Sequence, residues 1–339
     1  MELQLTEKFD KILSKATNIT IGIHRSPDPD AFGSATAMIQ FIKKKYRNIN
    51  EVNCIIPDDL PEHLNWIVDN VRDNVIIGEE GLEKKGKTFL TNSDVVILLD
   101  MNSTSRLSFY EPILQATQAK IINIDHHPQL NDNFDLIIRD ADASSTCEIV
   151  YLLLKHIDKE IIDTNIASSL YSGILGDTGS FSYSCSHPQI YYVTAELIGY
   201  DIDIKKLHNL VFNNYGIERM RLLGYVMHEK IQTLKVKDQI VAYYALTSKE
   251  LEKYNYKPKY LENVVNQALN IKGVCIAASI VERNKTIRIS LRSKELPINK
   301  FAATCFGGGG HPNASGAVVT DKSLEDCVNI FKDNVCNYI

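Results

Sequence analysis

The chain reads as an α/β protein. An open, mainly parallel sheet forms a first domain, a helical connector follows, and a smaller α+β domain ends the chain. Three observations predict this. The first half alternates continuous Val/Ile/Leu runs with segments of helical periodicity, the pattern of parallel strands covered on both faces. Residues 188–230 are helix-patterned and lack Gly/Ser runs. Beyond residue 231 strand-like runs alternate with turns and helices. The domains so drawn are 1–187, 188–230 and 231–339.

"NITIGIH" reads as a strand ending at His24. "DAFGSATAMIQFIKKKY" reads as a helix, with Phe32, Ala35, Met38, Phe41 and Ile42 on one face. "VNCII" is a second strand, "DVVILLD" a strand ending at Asp100, and "KIINID" one ending at Asp125. Helices follow at about 145–156 and 164–175. The connector holds "HPQIYYVTAELI", "DIKKLHNLVF" and "GIERMRLLGYVMHEK". In the last domain "QIVAYYAL", "VCIAASIVE" and "TIRISLRS" are strands. "TSKE" is a capping box opening a helix. "VERNKTIRIS" is a hairpin turning at Arg283–Lys285.

Composition narrows the function classes. The 339 residues are 44% hydrophobic and 23% charged, as in ordinary globular proteins, and are enough for two domains. A formal net charge of -5 argues against a surface built for long duplex nucleic acid. Seven cysteines, an odd number without a C-x-x-C pair, argue against a disulfide framework or a thiolate zinc site and fit a reducing cytoplasm. The N-terminus has no signal-peptide core, and no apolar run approaches membrane-span length.

Ligands in open α/β sheets bind beyond the carboxyl ends of the strands. Strand ends here deliver His24, Asp28 and Asp30, then Asp100, then Asp125, His126 and His127, while "GILGDTGS" adds Asp177 after a helix. Each has a plain alternative: Asp30 as a helix cap, Asp100 as a cap for "NSTSRL", Asp177 as a turn residue. Taken together, these carboxylates would repel strongly in one crevice unless cations neutralised them. Two divalent ions would balance Asp28, Asp30, Asp100 and Asp177. Mixed N and O donors without thiolate favour Mn²⁺, with Mg²⁺, Co²⁺ or Zn²⁺ able to substitute.

The ordered series "HRSPDPDAFGS", "LLDMNS", "NIDHHP" and "GILGDTGSF" resembles the DHH phosphoesterase family, and "FGGGGHPNASGA" resembles the signature of its associated domain. One departure is Pro29, where the first motif usually has glycine. The resemblance implies one metal held by His24, Asp28 and Asp100 and another by Asp30, Asp100, His126 and Asp177. It makes Asp125 the acceptor that fixes a ligating histidine's tautomer, and His127 the group facing the substrate phosphate. Attack on phosphorus by a metal-activated water is the implied chemistry. Arg106 is either an assistant to the leaving group or a solvated charge at a helix start.

In the last domain, Gly307, Gly308, Gly309 and Gly310 with His311 suit no packed helix or strand interior. They read as a mobile loop or, more sharply, as an amide cradle for an anion. Arg288, Ser290 and Arg292 share one face of a strand. The resemblance implies that this domain grips the nucleotide. Phe181 and Tyr183 either stack a base or pack. The group called nanoRNases and pAp phosphatases has this layout. The expected substrate is therefore a small nucleotide: short single-stranded RNA, a linear dinucleotide or 3′-phosphoadenosine 5′-phosphate. Alternatives are a RecJ-like exonuclease, an inorganic pyrophosphatase and a non-catalytic nucleotide-binding regulator. No membrane partner is expected, and a homodimer is compatible with the chain.

Overall fold

The computed structural model describes residues 3–58, 60–78, 83–127, 134–183, 185–257, 260–261 and 263–339, the side chains of Glu83 and His311 excepted. The chain divides into two compact units, Met1–Asn214 and Tyr215–Ile339.

The first unit carries strands β1 (Asn18–Ile23), β2 (Glu51–Ile56), β3 (Val75–Ile77), β4 (Val95–Leu99), β5 (Lys120–Asp125) and β6 (Leu136–Arg139). Their order is β3-β2-β1-β4-β5-β6, and every pairing is parallel. The helices are α1 (Leu3–Leu13), α2 (Pro29–Lys45), α3 (Glu83–Asn92), α4 (Glu111–Ala116), α5 (Thr146–Asp158), α6 (Thr164–Thr178), α7 (Gln189–Ile198) and α8 (Ile204–Phe212). All five residues of β4 are buried, as its unbroken apolar run requires of a strand covered on both faces. β3 and β6 were not anticipated: three and four residues are too few to display a period. Chain order reverses between β1 and β4, which opens the crevice at their carboxyl ends.

Close packing sets the height of that crevice's wall. A Cβ on Gly173 would lie 2.2 Å from Cys147 Sγ and 3.0 Å from the Cα of Asp30. One on Gly176 would lie 2.7 Å from the ring of Pro29. The missing side chains let α6 approach the head of α2, which brings Asp177 towards Asp30. Pro29 is at the first position of α2, where a helix needs no N–H, and Asp28 is the N-cap.

The second unit begins with α9 (Ile217–Tyr225), which runs on into a π-helical turn at Val226–Lys230. The helices of the 188–230 stretch are thus shared between the units. Next come β7 (Gln232–Val236), β8 (Gln239–Leu246), α10 (Ser248–Lys253), α11 (Val264–Leu269), β9 (Val274–Arg283) and β10 (Thr286–Ser293). α12 (Asn299–Phe306), β11 (Gly309–His311), β12 (Ala314–Val319) and α13 (Leu324–Val335) complete it. The sheet order is β11-β12-β10-β9-β8-β7, antiparallel except for the β8–β9 pair. Thr247 and Glu250 form the capping box of α10. The β9–β10 hairpin turns on Asn284 and Lys285, both at positive φ, as a type I′ turn demands. Among the described residues no helix is long and apolar enough to cross a membrane.

The glycine arrangement predicts two opposite mutational outcomes. Gly173→Ala must push Cys147 and the head of α2 apart and should cost about 1–3 kcal/mol. Gly224→Ala, in α9 with nothing within 4 Å of the added Cβ, should be neutral or stabilise by up to about 1 kcal/mol. Urea unfolding of both variants measures this. A Gly173→Ala protein no less stable than Gly224→Ala would contradict the packing.

Candidate metal centre and anion site

The carboxyl ends of β1, β4 and β5 place the catalytic candidates together. His24 follows β1, Asp100 follows β4, and Asp125 is the last residue of β5, ahead of His126 and His127. Asp28 Oδ1 accepts from the amides of Asp30 and Ala31 at 3.0 Å each, so Asp28, and not Asp30, caps α2. Ser103 caps the turn after β4, which leaves Asp100 free of that role. Asp177 stands in the last turn of α6, with Gly179 as the left-handed C-cap.

Three groups of side chains have ligand atoms within 4.8 Å of one another: His24, Asp28 and Asp100; Asp30, His126 and Asp177; and Asp100, His126 and His127. Asp100 belongs to two of them. His24 Nε2 is 3.1 Å from Asp100 Oδ2, while its Nδ1 meets the carbonyl of Arg25 at 2.8 Å. A carbonyl only accepts, so Nδ1 carries the proton and Nε2 is the ligating nitrogen. His126 Nε2 is 3.1 Å from Asp177 Oδ2 and 3.6 Å from Asp100 Oδ1. Asp100 holds a left-handed backbone, φ 56°, unusual outside glycine and typical of strained functional positions.

Asp125 does not serve the histidine that the resemblance assigned to it. Its Oδ1 accepts from Nδ1 of His127 at 2.6 Å, whereas His126 Nδ1 faces the carbonyl of Ala143 at 3.4 Å. Alternation explains the difference: side chains two residues apart leave an extended chain on the same side. Arg106 Nη1 lies 3.4 Å from Nε2 of His127 and 3.3 Å from the Asp100 carbonyl. Guanidinium only donates, so this Nε2 is an acceptor and the proton sits on Nδ1. Arg106 is therefore engaged at the centre and is not merely solvated.

Sequence reading missed the supports of the cluster. Thr146 Oγ1 donates to Asp100 Oδ1 at 3.2 Å, and the amides of Thr146 and Cys147 donate to Asp30 at 2.7 and 2.9 Å. Arg139 donates from Nε and Nη2 to the His127 carbonyl. The run "SSTCE" at the head of α5, an N-cap signal, was the one available clue.

Charge crowding is visible in the proton affinities. Burial, followed by the charge of Asp100, pushes the Asp30 carboxyl up to about 7. Burial and Asp30 raise Asp177 well above the carboxylate range. Burial also opposes ionisation of Asp100, but hydrogen bonding and attraction from His24 outweigh it and hold Asp100 low. Desolvation opposes the His126 cation, yet the Asp177 hydrogen bond and surrounding carboxylates raise it to about 11. Protons here stand where positive charge is needed. Oxygen and imidazole donors without thiolate, sharing one carboxylate, fit a pair of divalent cations.

In the second unit Arg288 is exposed and Arg292 half-buried on one face of β10. Burial pulls the Arg292 guanidinium below its usual value. Among the described residues no carboxylate pairs with it; its Nη1 donates to the Leu291 carbonyl at 3.0 Å. Gly307 caps α12 in the left-handed region, φ 64°. Gly309, Gly310 and His311 form edge strand β11, which corrects the reading of this run as a loop. A Cβ on Gly308 would lie 2.1 Å from the Gly316 carbonyl, which explains why glycine is needed there. By register Arg292 pairs with Ala314 and Ala314 with His311, so one cross-strand row joins them. The His311 side chain lies outside the described residues. Ser290 shares the Arg292 face and pairs with Gly316, leaving little bulk beside the arginine. Tyr183, 59% exposed, stands by Gly179, and Phe181 stacks on Tyr191 at 6.1 Å.

Residues 18–174 match the N-terminal domain of the DHH family, and residues 238–337 match the DHHA1 domain. The chain is 28% identical over 326 residues to the bifunctional oligoribonuclease and PAP phosphatase NrnA of Bacillus subtilis, covering 93% of this chain and 96% of that protein. It is 29% identical over 331 residues to a probable bifunctional oligoribonuclease and PAP phosphatase NrnA of Streptococcus mutans, covering 96% and 97%. An exopolyphosphatase-related protein from Bacteroides fragilis has a crystal structure that superposes with a TM-score of 0.92 at 31% identity, covering 99% of this chain and 97% of that one.

The proton affinities fix the sign of a metal-binding experiment. Ligation requires His126 without its proton and Asp30 ionised. Near neutral pH the first is protonated and the second partly so, hence binding must expel about one proton or more per chain. Calorimetry of Mn²⁺ binding at pH 7 in buffers of different ionisation enthalpy should show a heat that tracks the buffer, and affinity should fall with pH. A buffer-independent heat would contradict the ligand assignment.

Proposed function

The chain belongs to the DHH family, with a DHHA1 domain, and from that premise we propose that it hydrolyses phosphate esters of small nucleotides: short oligoribonucleotides, linear dinucleotides or 3′-phosphoadenosine 5′-phosphate. The observation that carries the reading is the convergence of Asp28, Asp30, Asp100 and Asp177 with His24 and His126 in one crevice, with Asp100 common to two donor groups. Similarity along nearly the whole chain to NrnA proteins supports the substrate class.

His24, Asp28 and Asp100 would hold one divalent cation, and Asp30, Asp100, His126 and Asp177 another, with Mn²⁺ the preferred ion. Such a pair supplies an activated water and neutralises charge on the phosphoryl oxygens. Asp125 keeps the His127 proton on Nδ1 and fixes the orientation of the ring. His127 Nε2, the open ring nitrogen beside Arg106, can then take a proton from water and pass it to the leaving oxygen. Arg106 adds a fixed positive charge near the Asp100 carbonyl, where a phosphoryl oxygen needs a donor. Arg292, desolvated and without a carboxylate partner among the described residues, is suited to a substrate phosphate, and the β11 row beside it to the rest of the nucleotide. The seven cysteines are unpaired thiols, which supports a reducing, cytoplasmic location.

Two measurements test this. A substrate panel with Mn²⁺ (pAp, pyrophosphate, a dinucleotide and RNAs of increasing length) should show small nucleotides turned over fastest and no turnover after exhaustive chelation. Preference for pyrophosphate or for long RNA would overturn the substrate class. Asp100→Ala should abolish metal binding and activity together. Asp125→Ala should keep its metal and lose about 10²–10⁴-fold in turnover, the range for a positioned proton donor. Arg292→Ala should weaken a dinucleotide while sparing a p-nitrophenyl phosphate ester. Equal losses on both esters would remove Arg292 from nucleotide recognition.

A further inference from the structure

At the opposite, amino-terminal end of the parallel strands lies a cavity of about 870 Å³. That is within the range of small-molecule sites, about 300–1,000 Å³. It is bounded by α1, the ends of α3 and α4, and the starts of β4 and β5. Lys8, Lys11, Lys15 and Lys120 line it, together with a single carboxylate, Asp94. Lys8 and Lys11 lie on one side of α1, and Lys15 follows in the turn after it. The other face of α1 buries Phe9 and Leu13.

Glu7 and Asp10 neighbour these lysines along α1 but do not line the cavity. Among the described residues no carboxylate pairs with any of the four. Lys8 Nζ reaches only the carbonyl of Asp135, at 3.3 Å. The Asp94 carboxylate is already occupied: its Oδ2 accepts from Thr17 N, Thr17 Oγ1 and Asn18 N at 2.7, 2.7 and 2.9 Å. Helices that follow parallel strands turn their carbonyl ends to this side, and α3 and α4 end here, so backbone dipoles repel an anion. Lysine side chains must therefore supply the positive charge, and in the lining they outnumber the one engaged carboxylate. Ile12, Ala16, Val95 and Ile113 give the same cavity an apolar floor.

We propose that this groove is a second nucleotide site, in which the lysines hold a phosphate while the apolar floor takes the ring of the base. It is separate from the metal centre. β4 begins at Val95 in the groove and ends at Leu99, next to Asp100, which puts the length of a five-residue strand, on the order of 16 Å, between the two. The inference does not rest on the phosphoesterase reading, because it requires neither metal nor turnover.

The probe is AMP, titrated calorimetrically into the whole protein with chelator at low salt. Controls are adenosine, inorganic pyrophosphate, an Arg292→Ala variant and the same variant carrying the Lys11→Gln/Lys15→Gln/Lys120→Gln triple substitution. All three lysines are exposed, so the triple variant should fold, and a thermal melt verifies it. Arg292→Ala, which removes the nucleotide contact proposed for the second unit, should still bind AMP; the triple lysine substitution added to that variant should weaken this binding roughly tenfold or more, and the binding should weaken steadily with salt. Adenosine and pyrophosphate should each bind more weakly than AMP. The proposal fails if the triple substitution leaves the AMP affinity of Arg292→Ala unchanged, if Arg292→Ala abolishes binding, or if wild type does not bind AMP. Adenosine or pyrophosphate binding as tightly as AMP would also overturn it.

Discussion

The Asp30 carboxylate is fully buried, within reach of Asp28, Asp100 and Asp177, and takes two amide hydrogen bonds from the head of α5. Much of the first unit is arranged around this concentration of negative charge. Removing a carboxylate from water costs several kcal/mol even after relaxation. A single amide hydrogen bond to a charged group returns about 1.5–3 kcal/mol. The amides of Thr146 and Cys147 hold Asp30 in place but leave its carboxyl raised to about 7. Hydrogen bonding alone does not settle the cluster, and a pair of divalent cations would.

The scaffold bears that cost through its core. β1 and β4 are buried almost throughout, and each fully buried Val, Leu or Ile contributes about 1.5–3 kcal/mol. A left-handed Asp100, at about 1–3 kcal/mol of strain, is small beside that sum. The glycines of α6 serve the same end from the other side, since any side chain at Gly173 or Gly176 would lift Asp177 away from Asp30. Pro29 fits the arrangement because its ring fills the space that Gly176 leaves and its missing N–H falls at a helix position that needs none.

The two ends of the parallel sheet differ in electrostatic character for a topological reason. At the carboxyl ends, helix N-termini face the crevice, and Asp28 and Asp30 sit on the heads of α2 and α5. At the amino ends, helix C-termini arrive, and positive charge has to come from side chains. Lys8 and Lys11 of α1, with Lys15 just beyond it, are found there. One fold thus offers a cation-binding end and an end where lysines gather around an apolar floor.

The sequence by itself determined the sheet of the first unit and the contents of its crevice. Unbroken runs such as "VVILL" can bury both faces only in a covered parallel strand, and the polar residues after such runs must fall at the carboxyl edge. His24, Asp28, Asp100, Asp125, His126 and His127 were legible for that reason. Local signals also fixed the Thr247 capping box and the Asn284–Lys285 turn, because each is closed by residues a few positions apart. Tertiary structure decided what depends on distant partners. Asp30 rests on residues more than a hundred positions away, and Arg106 reaches the His127 ring from the 3₁₀ helix that follows β4. Gly309 and Gly310 became part of a strand only because Ala314–Gly316 offered an edge to pair with. The lysine groove exists only where α1 meets the starts of β4 and β5. A periodic pattern specifies which side of an element is buried, but only the packed chain specifies which elements meet across the remaining space.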